Sequence, residues 1–285
     1  MIGLPCFRRL PPTGLLLALL LAGPASAQER QPSLILATTT STHDTGLLDS
    51  LLPRFQRAAG VEVKPIAVGT GAALEMARRG DADVVLVHAP EAERPYVDAG
   101  DLVEGRLIMH NDFMILGPPD DPAGAREAAD LRGTMAAIGA GGAFVSRGDG
   151  SGTEVKEMAL WRLAGVNPAR MQGREETGQG MGATLLIAEQ RQSYTLADRG
   201  TYLAFRARLT LVPLRERDPE LRNIYHAYLV NPQRHPRVRA TEAVRFLDFL
   251  TAPETQAWIG RFGAAQYGEP LFVPAAAGPR PGDRE

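Results

Sequence analysis

The chain has 285 residues, 44% of them hydrophobic and 22% charged, which suits a soluble protein with a buried core, built as one large domain or as two α/β lobes of about 100–150 residues each. The formal charge of −2 excludes a nucleic-acid binder by bulk charge, so an anionic ligand has to be captured by local geometry. Cys6 is the single cysteine, which excludes a disulfide, and it lies ahead of the leading apolar run.

That run follows Arg8 and Arg9, extends to Gly23 as LLLALLLAG, and ends near the small-residue site Ala25-Ser26-Ala27. It reads as a secretory signal peptide over residues 1–27, with the mature chain starting near Gln28 in the periplasm. The run is shorter than the ~20 residues that span a bilayer. A lipid-anchoring cysteine would follow it, whereas Cys6 precedes it. Removing Arg8 and Arg9 leaves 29 basic against 33 acidic side chains, a charge of −4. Only Lys64 and Lys156 are lysines, and neither stands in a phosphate-binding P-loop.

Ser33 to Thr38 reads as a buried strand that runs into Thr38-Thr39-Thr40-Ser41-Thr42. Leu47, Leu48, Leu51, Leu52 and Phe55 recur at helical spacing, and Gly60 closes that helix. Val61 to Val68 reads as a strand, Gly69-Thr70-Gly71 as a turn into a helix, and Asp83 to His88 as a third strand. This alternation predicts a parallel sheet with helices on its faces. Leu107 to Leu116 is a strand leaving this region, Met135 to Phe144 a candidate strand, and Ser146 to Thr153 a loop before a helix over Glu154–Leu163. A helix over Gly182–Gln190, strands at Ser193–Ala197, Leu209–Leu214 and Tyr225–Val230, and helices over Thr241–Leu250 and Thr255–Phe262 follow. The Ala/Gly/Pro/Arg-rich stretch 275–285 reads as a disordered tail. Outgoing and returning strands predict two α/β lobes joined by two crossings, lobe one from 32–111 and 223–274, lobe two from 112–222. The ligand cleft lies between them.

Three loops share one design: Thr38–Thr42, Gly69–Gly71 and Ser146–Thr153 (SRGDGSGT) each follow a strand, precede a helix and are rich in Ser, Thr and Gly. A helix N-terminus exposes unpaired amides and a positive dipole end, and hydroxyls add donors, so such loops suit an anion. Ser and Thr there are also ordinary N-caps, and it is the recurrence of the design that points to an anion cleft. Arg147 is the fixed charge of the set, with Asp149 placed to orient it or to accept a proton from a protonated ligand. Gly180 and Met181, at the start of another helix, are candidates to face the cleft, and Tyr194 to line it. The five histidines are scattered with no zinc-binding spacing, and no nucleophile elbow, P-loop or assembled triad is present. The pattern is that of a binding protein without metal or cofactor, not an enzyme.

At LATTTSTHDTGLLDSLLPRF, VGTGAALEMARRGDADVVLVHAP, SRGDGSGT and YTLADRGTY the chain resembles the type II periplasmic binding proteins, and among them the tungstate-binding components of bacterial importers. The resemblance runs in order over nearly the whole mature chain. It implies a hinged, two-lobed α/β receptor, monomeric, that holds tungstate, with molybdate as a further ligand, without a cofactor. The residues it implies are Thr39, Thr40 and Ser41, Thr70, and Arg147, Ser151, Gly152 and Thr153. His88 shapes the cleft in this reading. The partners implied are the integral membrane permease and the ATPase of an ABC importer. SRGDGSGT also resembles a loop of phosphate-binding proteins, which leaves phosphate or sulfate as the alternative ligand and an exported enzyme as a more distant one.

Overall fold

The structure is a computed structural model that describes residues 33–276 together with Gly3. The leader 1–27 and most of the tail expected from 275 lie outside the described residues.

The first part alternates strand and helix as the hydrophobic periodicity dictates. In order come β1 (Ser33–Thr39), α1 (Thr40–Asp44), α2 (Leu47–Ala59), β2 (Glu62–Val68), α3 (Thr70–Arg79), β3 (Val84–Val87) and α4 (Pro90–Asp98). On α2, Leu47, Leu48, Leu51, Leu52 and Phe55 form the buried face. Gly60 ends the helix at φ +68°, a left-handed conformation that costs glycine nothing, and its amide donates to the Gln56 carbonyl. β1 is flanked by β2 and β3, both parallel to it. The carboxyl ends of these three strands therefore emerge on one edge, where the Thr39, Thr70 and His88 segments follow them.

β4 (Leu102–Gly117) then runs on for 16 residues. Its first part, from Leu102 to Asp112, pairs antiparallel with β9 (Arg222–Val230), whereas Phe113–Gly117 pair with β7 (Thr195–Asp198) and β8 (Val212–Arg215). One strand thus joins two groups of neighbours, and it changes partners between Asp112 and Phe113.

Beyond β4 lie α5 (Leu131–Gly141), β5 (Phe144–Ser146), α6 (Gly152–Ala164), β6 (Arg174–Glu176), α7 (Met181–Arg191) and α8 (Arg199–Phe205). The expected strand over Met135–Phe144 is mostly the helix α5. Asp130 caps it by accepting the Gly133 amide, and Leu131, Thr134, Met135 and Ile138 bury one face at helical spacing. Only Phe144 to Ser146 is strand, pairing in parallel with β6. The short polar strand Arg174–Glu176 turns Arg174 inward to pair with Glu157, while Glu175 and Glu176 are exposed. After β9 the chain folds back as α9 (Ala240–Thr251), α10 (Pro253–Ile259), α11 (Ala264–Tyr267) and β10 (Val273–Pro274), the last pairing with β4.

The larger apolar cluster lies around β1, β3, β9, α2 and α9, with Phe55 packed edge-on against Phe246. A second cluster gathers Phe113, Ile115, Met135, Ile138, Phe144, Leu160, Trp161 and Tyr194 beneath α5 and α6. Trp161 is fully buried there, edge-on to Phe144, with its indole N–H donated to Glu157. Trp161→Ala is expected to cost about 3–5 kcal/mol through the cavity it leaves and the donor it removes, read as a lowered midpoint in urea unfolding.

Candidate functional site

Each of the three Ser/Thr/Gly loops begins a helix, and the three converge. Thr39 caps α1, its hydroxyl accepting the Thr42 amide at 3.2 Å. Gly69 precedes α3 in extended conformation. Ser151 caps α6 by accepting the Glu154 amide at 3.3 Å. The contact between loops is direct. The Gly152 amide donates to the Thr70 hydroxyl at 3.0 Å, and an Arg147 amine lies 3.5 Å from the Thr40 hydroxyl. Thr39, Ser41, Thr70, Arg147, Ser151, Gly152 and Thr153 are buried, and Thr40 is half-buried.

Arg147 is only 2% exposed, not the surface arginine that a loop position usually holds. Burying a guanidinium is costly unless its N–H groups find acceptors. Here it pairs with Asp149 at 2.5 Å, and its Nε donates to the Gln179 carbonyl at 3.3 Å. Asp149 is committed on both oxygens, because its second oxygen accepts the Ser151 amide at 3.1 Å. Of the two roles open to Asp149, the geometry matches orientation of the arginine. The base of the loop is fixed as well. Ser146 donates to Glu157 at 2.5 Å and accepts from Arg174 at 2.9 Å. Burial raises the Glu157 carboxyl above the usual range, against the opposing pull of Ser146, Trp161 and Arg174.

The Thr39–Thr42 hydroxyls form a cluster with His88, which stands just beyond β3. His88 Nε2 is 3.0 Å from both the Thr39 and Ser41 hydroxyls, and its Nδ1 is 2.9 Å from the Asn223 carboxamide oxygen. Asn223 donates onward to Asn111 at 2.8 Å, and the Tyr225 ring stacks on the imidazole at 4.6 Å. Burial lowers the His88 pKa, while Asp198 and the Asn223 contact oppose that shift. His88 was expected to shape the cleft and not to hold the ligand, whereas Asn111 and Asn223, far apart in sequence, were not expected here at all. The signal within reach was the position of His88 at the carboxyl end of a buried strand.

The Thr153 hydroxyl is buried and has no hydrogen-bond partner in the protein, a state that costs about 1–3 kcal/mol until an acceptor reaches it. Gly180 is the residue before α7, and Gln179 beside it meets Arg147, so this helix start adjoins the site. Tyr194 does not line it. Its ring is 1% exposed within the second cluster and its hydroxyl donates to Asp121, while burial and that bond push its pKa up to about 12. A cavity of about 140 Å³ lies beside the loop contact, lined by His88, Phe113, Gly152, Val155, Arg222 and Ile224 among others. A surface groove of about 450 Å³ by Arg54 and Trp258 shares no residue with these loops. Among the described residues no cluster of three or more His, Cys, Asp or Glu is arranged to hold a metal, and no helix is long and apolar enough to cross a membrane.

Residues 24–254 match the PBP superfamily domain. The tungstate-binding protein TupA of Peptoclostridium acidaminophilum is 43% identical over 275 residues, spanning 92% of this chain and 96% of the relative. The chain belongs to the PBP superfamily and, within it, to the family of this relative. Solved structures of that family superimpose on it. The tungstate-binding protein TupA from Desulfovibrio alaskensis G20 does so at 42% identity and a TM-score of 0.76, over 86% of this chain and all (100%) of that one. A structure described as the tungstate ABC transporter from Geobacter sulfurreducens gives 44% identity and a TM-score of 0.71, over 78% and 95% of the two chains. The mixed α/β architecture is accordingly that of the PBP superfamily.

Gly152 is the tightest point of the loop contact. A Cβ added there would lie 3.2 Å from the Thr70 hydroxyl and 3.3 Å from the His88 ring. Gly152→Ala is expected to wedge the contact and weaken anion binding by about tenfold, ~1.4 kcal/mol, measured by calorimetric titration, with unfolding of the unliganded protein little changed.

Proposed function

We propose that this chain captures tungstate, and molybdate of nearly equal size, in the periplasm and delivers it to the permease and ATPase of an ABC importer. The observation that carries this reading is the buried Arg147 guanidinium. It stands where the SRGDGSGT loop meets Thr40 of the Thr39–Thr42 loop, and the Thr70 hydroxyl contacts the Gly152 amide beside it. The names and sequence identities of the relatives support the same ligand.

In this reading Thr39, Thr40, Ser41, Thr70, Arg147, Ser151, Gly152 and Thr153 surround the oxyanion. Arg147 offers charge-assisted hydrogen bonds, the first turn of α6 offers amides and a dipole end, and the anion gives the Thr153 hydroxyl its missing acceptor. Lobe one, 32–111 and 223–274, closes on lobe two, 112–222. The anion stabilises the closed form because it touches both. The chain acts as a monomer and, with its leader 1–27 removed, as an exported protein. It performs no catalysis.

Two features bear on the choice of ion. Metal–oxygen bonds in tungstate and molybdate are longer than the sulfur–oxygen bonds of sulfate. Donors fixed for the larger ion stay unpaired around the smaller one. Hydrogen phosphate carries a proton that needs an acceptor, whereas tungstate carries none near neutral pH. Each Asp149 oxygen accepts one hydrogen bond, from Arg147 and from the Ser151 amide, and keeps acceptor capacity beyond it, so phosphate is the rival that experiment has to separate.

A thermal-shift series with tungstate, molybdate, sulfate and phosphate tests this directly, because a ligand that binds only the native state raises Tm by mass action. Tungstate and molybdate are expected to raise Tm, and a response to phosphate alone overturns the reading. Arg147→Ala is expected to abolish the tungstate shift and leave the unliganded protein folded. A full shift in that variant removes Arg147 from the site.

A further inference from the structure

A tungstate ion brings two negative charges into a site that has little free positive charge. Arg147 is already matched by Asp149 at 2.5 Å. Asp198 is fully buried nearby and spends its carboxylate on the Thr201 amide and hydroxyl. The one group among the hydroxyl donors able to gain a positive charge is His88.

Hydrogen-bond counting gives the state of its ring. Asn223 is placed with its amide nitrogen toward Asn111 Oδ1 and the Tyr225 hydroxyl and its oxygen toward His88, an arrangement that leaves the Asn111 amide nitrogen unpartnered among the described residues and on which the ring state rests. The hydrogen of a neutral imidazole then sits on Nδ1, and Nε2 is a bare acceptor. A bare Nε2, 3.0 Å from both Thr39 and Ser41, claims a proton from one of those hydroxyls. The hydroxyl that gives its proton to His88 turns only lone pairs to an anion. A hydrogen on Nε2 reverses this, because the ring donates to the hydroxyl oxygens and their own protons become free for the anion.

We propose that His88 takes up a proton when the oxyanion binds and through Nε2–H turns the Thr39 and Ser41 hydroxyls into donors toward it. The proposal rests on the oxyanion reading above. It makes His88 a positioning residue that acts on the ligand through the two hydroxyls and adds a compensating charge.

The surroundings are balanced for such a change. In the unliganded protein burial holds the ring neutral, and Arg147 adds to that. Asp198 and Glu93 oppose it, as does the Asn223 oxygen, and Tyr225 stacks on the ring face. Glu93 is itself buried and tied to the Ala89 amide, His226 and the Tyr228 hydroxyl, which fixes the backbone next to His88. A dianion beside the hydroxyls shifts this balance toward the imidazolium.

The test is calorimetric titration of the protein with sodium tungstate near pH 8, where the free ion carries no proton, in buffers of different ionisation enthalpy. The expected result is an observed enthalpy that varies with the buffer, corresponding to uptake of up to about one proton per anion. As pH rises, affinity is expected to fall by as much as tenfold per pH unit between the pKa of the free ring and that of the liganded ring, and to level off above the latter. In His88→Gln, whose amide cannot titrate, the buffer dependence and the pH slope disappear. Asp44, a nearby acid whose pKa burial raises, serves as the control, and Asp44→Asn is expected to keep the uptake. A buffer-independent enthalpy in the unmodified protein overturns the proposal, as does uptake that survives His88→Gln or is lost in Asp44→Asn. Absence of any binding heat overturns the tungstate reading along with it.

Discussion

The burial of one guanidinium organises this cleft. Arg147 is withdrawn from water, and a lone buried charge is unaffordable, so its environment has to supply acceptors from several directions. Asp149 comes from its own loop, the Gln179 carbonyl from the turn before α7, and the Thr40 hydroxyl from the end of β1. Three stretches far apart in sequence are thereby held against each other. The loop cannot drift, since Ser146 at its base is tied to Glu157 and Arg174. Groups tied down in this way have little freedom left to lose on binding a ligand, which keeps the ordering cost low.

Sheet topology delivers those stretches to one place. β1, β2 and β3 run parallel, so the segments after them leave from a common edge. β4 carries the chain from one group of strands to the next, and β9 returns beside it. Asn111 on β4 and Asn223 on β9 are register partners, and it is this pair that meets His88 from β3. The strands through which the chain passes between its two parts therefore also support the hydroxyl cluster.

The selectivity logic follows from which atoms are donors and which are already spent. Asp149 already orients Arg147 and accepts the Ser151 amide, and Thr153 has a buried hydroxyl without a partner among the described residues. An unpartnered buried hydroxyl is the kind of group whose cost an oxyanion acceptor would relieve. The hydroxyls around His88 extend this, since their direction depends on where the imidazole keeps its hydrogen.

Much of this was legible in the residues themselves. Local periodicity determined β1, α2, β2, α3, β3 and α6, because leucine and valine spacing and glycine caps act within a few residues. The Ser/Thr/Gly composition of three loops marked them as helix starts for the same reason. Where glycines diluted the pattern, as over Met135–Phe144, local reading chose a strand and the Asp130 cap with its buried face made a helix. Tyr194 lay in a motif beside the site, yet its ring packs into the second cluster, since the direction of a side chain is settled by what lies across from it. The burial of Arg147, the commitment of Asp149 and the His88–Asn223–Asn111 chain depend on atoms brought together from opposite ends of the sequence. Contacts of that kind leave no periodic trace along a chain, so only the tertiary structure decides them.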